Sequence, residues 1–199
     1  MKQILHVTSS PRGDQSNSTR LGSRIVELLL TQFPGSEVSI NDTVKKNYIH
    51  LNEIHPVAYR LADTEHTPEQ KDTLYSSDQA VKELLAAEII VISVPMYNFN
   101  IPSALKAWID HIVRAGKTFS YQTGRPEGLL KGKKVYLAIA SNGVYSDGPM
   151  KPFDFGEPYL RFILEFMGIT DITTYRIEGA GIPGLMESAL AAGLESVAV

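Results

Sequence analysis

The sequence predicts a doubly wound α/β fold, a three-layer sandwich whose five-stranded parallel sheet carries helices on both faces. Three observations predict it. Short apolar runs alternate along the chain with segments of helical periodicity. The run Ile89-Ile90-Val91-Ile92-Ser93-Val94 is β-branched and apolar on both faces, as a strand covered from two sides requires. Glu37-Val38-Ser39-Ile40-Asn41 alternates instead, which marks a half-exposed strand near a sheet edge. Five strands of this kind are most often wound in the order 2-1-3-4-5. The ligand crevice then lies beyond the carboxyl ends of strands one, three and four.

The elements follow in order. Ile4-Leu5-His6-Val7 is the first strand, ending in the hydroxyl-rich Thr8-Ser9-Ser10-Pro11. Leu21, Ile25, Leu28 and Leu29 form one face of a helix, with Ser16, Asn17 and Ser18 placed to cap its first turn and Pro34-Gly35 to stop it. After the edge strand, residues 44–66 have weak periodicity and read as an irregular crossover. Thr67-Pro68-Glu69-Gln70 announces a helix: an N-cap, a proline at the first helical position and a glutamine that completes a capping box. Its apolar face is Leu74, Val81, Leu84 and Leu85. The central strand leads to a loop from Pro95 to Pro102, then to a helix through Leu105, Trp108, Ile109, Ile112 and Val113, ended by Gly116. Residues 117–132 read as a long loop. Lys133 to Ala140 is the fourth strand, and Ser141 to Gly156 a polar loop. Pro158 opens a helix closed by Gly168, Ile172 to Ile177 is the fifth strand, and a last helix runs from Pro183 with Leu185, Met186 and Leu190 on one face.

Length and composition agree with one domain spanning 1–199. The 199 residues are 43% hydrophobic and 21% charged, ordinary for a globular protein with a substantial core. Zero Cys excludes disulfides, thiolate metal sites and a thiol nucleophile. A net charge of −3 gives no basic face for nucleic acid. The longest run of hydrophobic residues, Val135 to Ala140, is six, short of a membrane span or a signal peptide, so a cytoplasmic protein is expected. The five histidines form no ligand-spaced cluster, and no metal is expected.

Three loops should carry the function. The first, Thr8 to Thr19, is crowded with hydroxyls and runs into a helix N-terminus, where free N–H groups and the helix dipole favour an anion. A phosphate monoester suits it; ordinary capping uses the same residues. The second, Pro95-Met96-Tyr97-Asn98-Phe99-Asn100-Ile101-Pro102, offers aromatics, a thioether and amides to a planar ring, or a plug beneath a loop. The third, Ser141-Asn142-Gly143-Val144-Tyr145, holds a glycine that admits close backbone approach, as tight turns also do. A phosphate cradle, a ring platform and a close-approach turn in one crevice describe a mononucleotide with a planar ring, and FMN is the candidate.

The run Met96-Tyr97-Asn98-Phe99-Asn100, with Arg114-Ala115-Gly116-Lys117-Thr118-Phe119, Pro126-Glu127-Gly128-Leu129, Asp147-Gly148-Pro149 and Pro158-Tyr159-Leu160, resembles the FMN-dependent NADH-azoreductases over nearly the whole chain. The resemblance implies a flavodoxin-like fold and a homodimer with one FMN per subunit. It implies NADH or NADPH as donor for ping-pong, two-electron reduction of quinones and for cleavage of aromatic azo bonds to amines. The hydride would pass through the flavin N5, so no side chain is singled out as catalytic. By match, FMN contacts fall to Ser10, Ser16, Asn17, Ser18, Met96, Tyr97, Asn98, Phe99, Ser141, Asn142, Gly143 and Val144. Phe99, Tyr121 and Phe162 would wall the substrate pocket. The family often has Arg and Gly where this chain has Asn142 and Val144, which removes a cation near the cofactor. Residues 44–66 would shape the pocket roof, with Arg60 either meeting a pyrophosphate or, the favoured reading, standing in solvent.

The alternative on the same fold is a flavodoxin-type electron carrier serving a protein partner, although such carriers present strongly acidic faces. A phosphoacceptor signalling domain would need carboxylates after the first strand, where Thr8-Ser9-Ser10 stand. Turnover of NAD(P)H with a quinone separates an enzyme from a silent FMN-binding module.

Overall fold

The computed structural model describes residues 1–199. Its sheet is built from β1 (Gln3–Thr8), β2 (Glu37–Asp42), β3 (Ile89–Pro95), β6 (Lys134–Ala140) and β7 (Asp171–Ile177), in the order β2-β1-β3-β6-β7 and parallel throughout. Counting the five sheet strands alone, this is the 2-1-3-4-5 winding. Every residue of β3 is buried, whereas β2 at the edge buries only Asn41. The remaining two strands, β4 (Phe119–Ser120) and β5 (Glu127–Gly128), pair antiparallel outside the sheet.

Two apolar layers flank the sheet. On one face α1 (Asn17–Gln32) packs Leu21, Ile25 and Leu29 against Ile4, Val91 and Ala138, joined by Leu190 and Leu194 of α7 (Met186–Glu195). On the other, α4 (Pro68–Ala86), α5 (Ser103–Ile112) and α6 (Gly156–Phe166) bury Leu84, Trp108, Leu160 and Leu164 against Leu5, Ile92 and Leu137. Each such buried aliphatic side chain contributes about 1.5–3 kcal/mol. The capping box on α4 forms as its sequence predicts: Gln70 N–H donates to Thr67 Oγ1 at 3.2 Å and Thr67 N–H to Gln70 Oε1 at 2.9 Å. No helix is long and apolar enough to cross a membrane.

Several boundaries differ from the sequence expectation, each for a local reason. The 44–66 crossover contains α2 (Thr43–Lys46), capped by Asp42 and stopped by Asn47 in the left-handed region, then α3 (Ile54–Ala58) and a 3-10 turn at Asp63–Glu65. Helix α5 stops at Ile112 rather than near Gly116. Thr118 Oγ1 donates to the Ile112 carbonyl at 2.8 Å and accepts from Arg114 N–H at 3.0 Å, so the hydroxyl replaces the next helical turn. Helix α6 begins at Gly156, ahead of Pro158, because Asp154 Oδ1 accepts from the N–H groups of Gly156 and Glu157. The loop at 117–132 holds the β4–β5 pair, pinned by Phe119 against Phe166. Helix α7 starts at Met186, not Pro183; Leu185 and Met186 are exposed, while Leu190 and Leu194 face the core.

Candidate functional site

Parallel register brings four strand ends to one edge of the sheet. Thr8 pairs with Ser93, Pro95 with Ala140, and Ala140 with Ile177. The loops that leave β1, β3 and β6 at this edge are those the sequence singles out.

The first loop enters α1. Ser9 Oγ donates to the Ser93 carbonyl at 2.8 Å, and Ser10 Oγ accepts from Arg12 N–H at 3.2 Å. Ser16 occupies the N-cap position but its hydroxyl does not cap; it pairs with Ser18 Oγ at 3.0 Å, and both are buried. The N–H groups of Asn17, Ser18 and Thr19 therefore meet no acceptor in the chain. Thr19 Oγ1 is also buried without a partner. No acidic side chain lies in this first turn. Unspent donors and hydroxyls at the positive end of a 16-residue helix are a fit for phosphate.

The second loop is a tight turn. Tyr97 and Asn100 exchange both backbone N–H···O bonds, each 3.0 Å, with Asn98 and Phe99 between them. Those two residues have φ of 50° and 67°, the left-handed pair of a type I′ turn. Asn tolerates this conformation. For Phe99 it costs on the order of 1 kcal/mol, which the double hydrogen bond and the packing around the ring offset. Phe99 is 45% exposed. Its ring meets Tyr145 edge-on at 6.1 Å and Phe153 at 6.2 Å between centroids.

The third loop is fixed from behind. Ser141 N–H donates to the Ile177 carbonyl at 2.9 Å, and Ser141 Oγ to the Gly143 carbonyl at 2.8 Å. The carbonyls of Asn142 and Gly143 accept from Gly181 and Gly179 N–H at 3.0 and 3.1 Å. A β-carbon on Gly143 would stand 3.0 Å from the Tyr145 ring. The ring would have to give by a few tenths of an ångström to admit one. Val144 is exposed.

Beneath these loops is an ion cluster. Arg176 of β7 contacts Asp154 at 2.5 Å, Glu178 at 3.2 Å, and Glu157. Burial raises the Glu157 pKa, but bonds from Thr174, Arg176 and Arg161 outweigh it and hold the carboxyl below its ordinary value. No imidazole reaches the loops by this route. His6 Nε2 pairs with Ser93 Oγ at 2.8 Å under the floor, where burial pulls its pKa down to about 4. His111 Nε2 contacts the Ile49 carbonyl at 2.8 Å, and its neighbour Asp110 pairs with Lys106.

The sequence-selected residues thus sort into two groups. Ser10, Ser16, Asn17 and Ser18, Met96 to Phe99, and Ser141 to Val144 stand on the three loops at one sheet edge. Tyr121 and Phe162 do not join Phe99 within the chain. Tyr121 meets Phe119 edge-on at 5.4 Å, and Phe162 is exposed on α6. The rings that do meet Phe99 are Tyr145 and Phe153. Tyr145 ends the third loop, and Phe153 stands with Met150 and Phe155 as an exposed apolar group in the loop before α6, which is the signal that could have marked it. An open cavity of about 660 Å³ adjoins the turn, lined by Ser9, Pro11, Tyr97, Asn98 and Tyr159. From the crossover only Val44 reaches it, and Arg60 is exposed.

The chain is similar to known proteins over nearly its whole length. The chain is 44% identical over 198 residues to an FMN-dependent NADH:quinone oxidoreductase of Beijerinckia indica, covering 100% of this chain and 98% of that one. It is 44% identical to a protein of the same name from Rhizobium johnstonii, covering 99% and 97%. An azoreductase crystal structure from Bacillus anthracis superposes with a TM-score of 0.89 at 30% identity, covering 98% and 96%. The family model described as flavodoxin-like fold matches residues 2–198, and the chain belongs to that family.

Proposed function

We propose that this chain is an FMN-dependent oxidoreductase that passes two electrons from NADH or NADPH to quinones and, in two such rounds, cleaves aromatic azo compounds to amines. The observation that carries the reading is the convergence of an uncapped helix N-terminus, a type I′ turn and an aromatic group at one sheet edge. The quinone oxidoreductase and azoreductase relatives support the chemistry and favour it over a flavodoxin-type carrier.

The first-turn N–H groups of α1 and the Ser16 and Ser18 hydroxyls would hold the phosphate. Ser10, Met96 to Asn98 and Ser141 to Val144 would border the ring, with Phe99 facing the acceptor above it. FMN, when bound, supplies the exchange of two electrons with both substrates. What the side chains add is position and exclusion of water. Phe99, Tyr145 and Phe153 give a flat acceptor an apolar surface; each two-electron reduction by a hydride equivalent needs one further proton, which solvent would supply.

We further assign a homodimer with one FMN per subunit. The crevice is open, and the exposed rings of Tyr121 and Phe162 would be brought to it by a second copy rather than by their own chain. Yellow purified protein that, without oxygen, turns over NADH beyond one equivalent per flavin only when a quinone is present, and sediments as a dimer, is the expected result. Colourless protein with no affinity for FMN would overturn it.

A further inference from the structure

Arg176 lies on β7, one strand beyond the loops, yet its guanidinium is bound to three carboxylates that each belong to a different part of the site. Glu178 Oε1, 3.2 Å from Arg176 Nη1, accepts the N–H groups of Tyr145 and Ser146 at 2.8 and 2.9 Å, and Glu178 also takes the Ser146 hydroxyl. Asp154 Oδ2 is 2.5 Å from Nη2, while its Oδ1 caps α6. Glu157 binds the same nitrogen and is held in turn by Arg161 at 2.8 Å and Thr174 at 2.6 Å. The segment between Asp154 and α6 then reaches the turn after β3, because Phe155 N–H donates to the Phe99 carbonyl at 3.1 Å. The Arg176 side chain is 13% exposed, so these bonds face little competition from water.

One cation therefore joins the backbone that carries Tyr145 to the backbone that carries Phe153 and, through Phe155, to Phe99. Those are the three rings that meet at 6.1 and 6.2 Å. The five charges of the cluster are Arg161, Arg176, Asp154, Glu157 and Glu178. A planar fork spreads its donors over Nη1 and Nη2 and so spans the separated carboxylates; an ammonium has its three donors on one atom. We propose that Arg176 is a positioning residue for the electron acceptor, setting the Phe99–Tyr145–Phe153 wall without touching substrate or FMN. The proposal rests on the oxidoreductase reading for what the wall recognises, but not for the coupling of the loops.

The experiment uses Arg176→Met, Arg176→Lys and Glu178→Gln, each alone and with Phe99→Ala. Glu178→Gln keeps the test decisive if Arg176→Met does not fold. In the apo-proteins, amide hydrogen exchange across residues 142–156 is expected to quicken about tenfold with β1 and β3 unchanged. In the holoenzymes, KM for a quinone is expected to rise by about 3- to 20-fold with kcat within about twofold, FMN affinity unchanged, and Arg176→Lys intermediate. In the Phe99→Ala background the same substitutions should change KM by about twofold or less, because the ring they position is gone. Equal factors in both backgrounds, a matching loss of FMN affinity, or unaltered exchange in 142–156 would overturn the proposal. If the wild type reduces no quinone with NADH, the functional reading and the acceptor role fail together, and the exchange data alone then decide whether Arg176 joins the loops.

Discussion

Gly22 on α1 stands directly over Ser93 of β3: a β-carbon there would collide with Ser93 Oγ and the His6 imidazole. The helix approaches the sheet closely at this point, one turn after the uncapped N–H groups of its first turn. Gly22→Ala gains helix propensity but forces helix and strand apart. The expected net effect is a loss of about 1–3 kcal/mol, read as a lower urea midpoint, with FMN affinity lowered as well. An unchanged midpoint would mean that the helix moves away freely.

The same pair of strands makes stability depend on acid. His6 titrates near 4 in the folded chain against an ordinary 6.5 because it is buried. Between these values the unfolded chain holds a proton that the folded chain does not. The stability present above pH 6.5 is therefore lost as pH falls towards 4, by up to about 3 kcal/mol. Urea unfolding of wild type and His6→Gln from pH 7 to 4.5 checks this: the wild type should show the steeper loss, and parallel curves would contradict it.

Replacing both Ser16 and Ser18 with Ala removes a buried hydroxyl pair whose oxygens lie 3.0 Å apart beside open helix N–H groups. Fluorescence titration of apo-protein with FMN should show affinity weakened by about 1–3 kcal/mol, the scale of hydrogen bonds to a charged group. Unchanged affinity would remove the phosphate from this helix end.

Much of this was legible in the sequence, for identifiable reasons. Ile89 to Val94 announces a doubly covered strand through β-branched residues alone, and Thr67 to Gln70 announces its helix through one capping box. Pattern reading failed where a single side chain just outside the element decides. Thr118 ends α5, and Asp154 starts α6 ahead of Pro158. The three site loops were legible because strand order places them; the ring neighbours of Phe99 were not. Tyr145 is held through its N–H by Glu178, and Phe153 precedes Asp154, whose carboxylate binds Arg176, contacts that no local periodicity records.

Phe99 combines a left-handed backbone with a half-exposed ring. Phe99→Ala is expected to leave flavin content nearly unchanged and to lower kcat/KM for a quinone or azo dye by about 2- to 50-fold. Phe99→Gly should be about 1 kcal/mol more stable than Phe99→Ala, since glycine adopts this φ without strain. Flavin-to-protein ratio, steady-state kinetics and urea unfolding together make the test. Loss of FMN with normal turnover of the remaining holoenzyme would place Phe99 in the cofactor shell instead.

The central claim is that the loops after β1, β3 and β6 hold an FMN through which NADH reduces a quinone. Anaerobic mixing of purified holo-protein with NADH, followed by the visible flavin absorption, tests it most directly. The band should bleach on addition of one equivalent of NADH per flavin and return on addition of one equivalent of quinone. A bound flavin that NADH does not bleach, or a bleached one that quinone does not restore, would contradict the account.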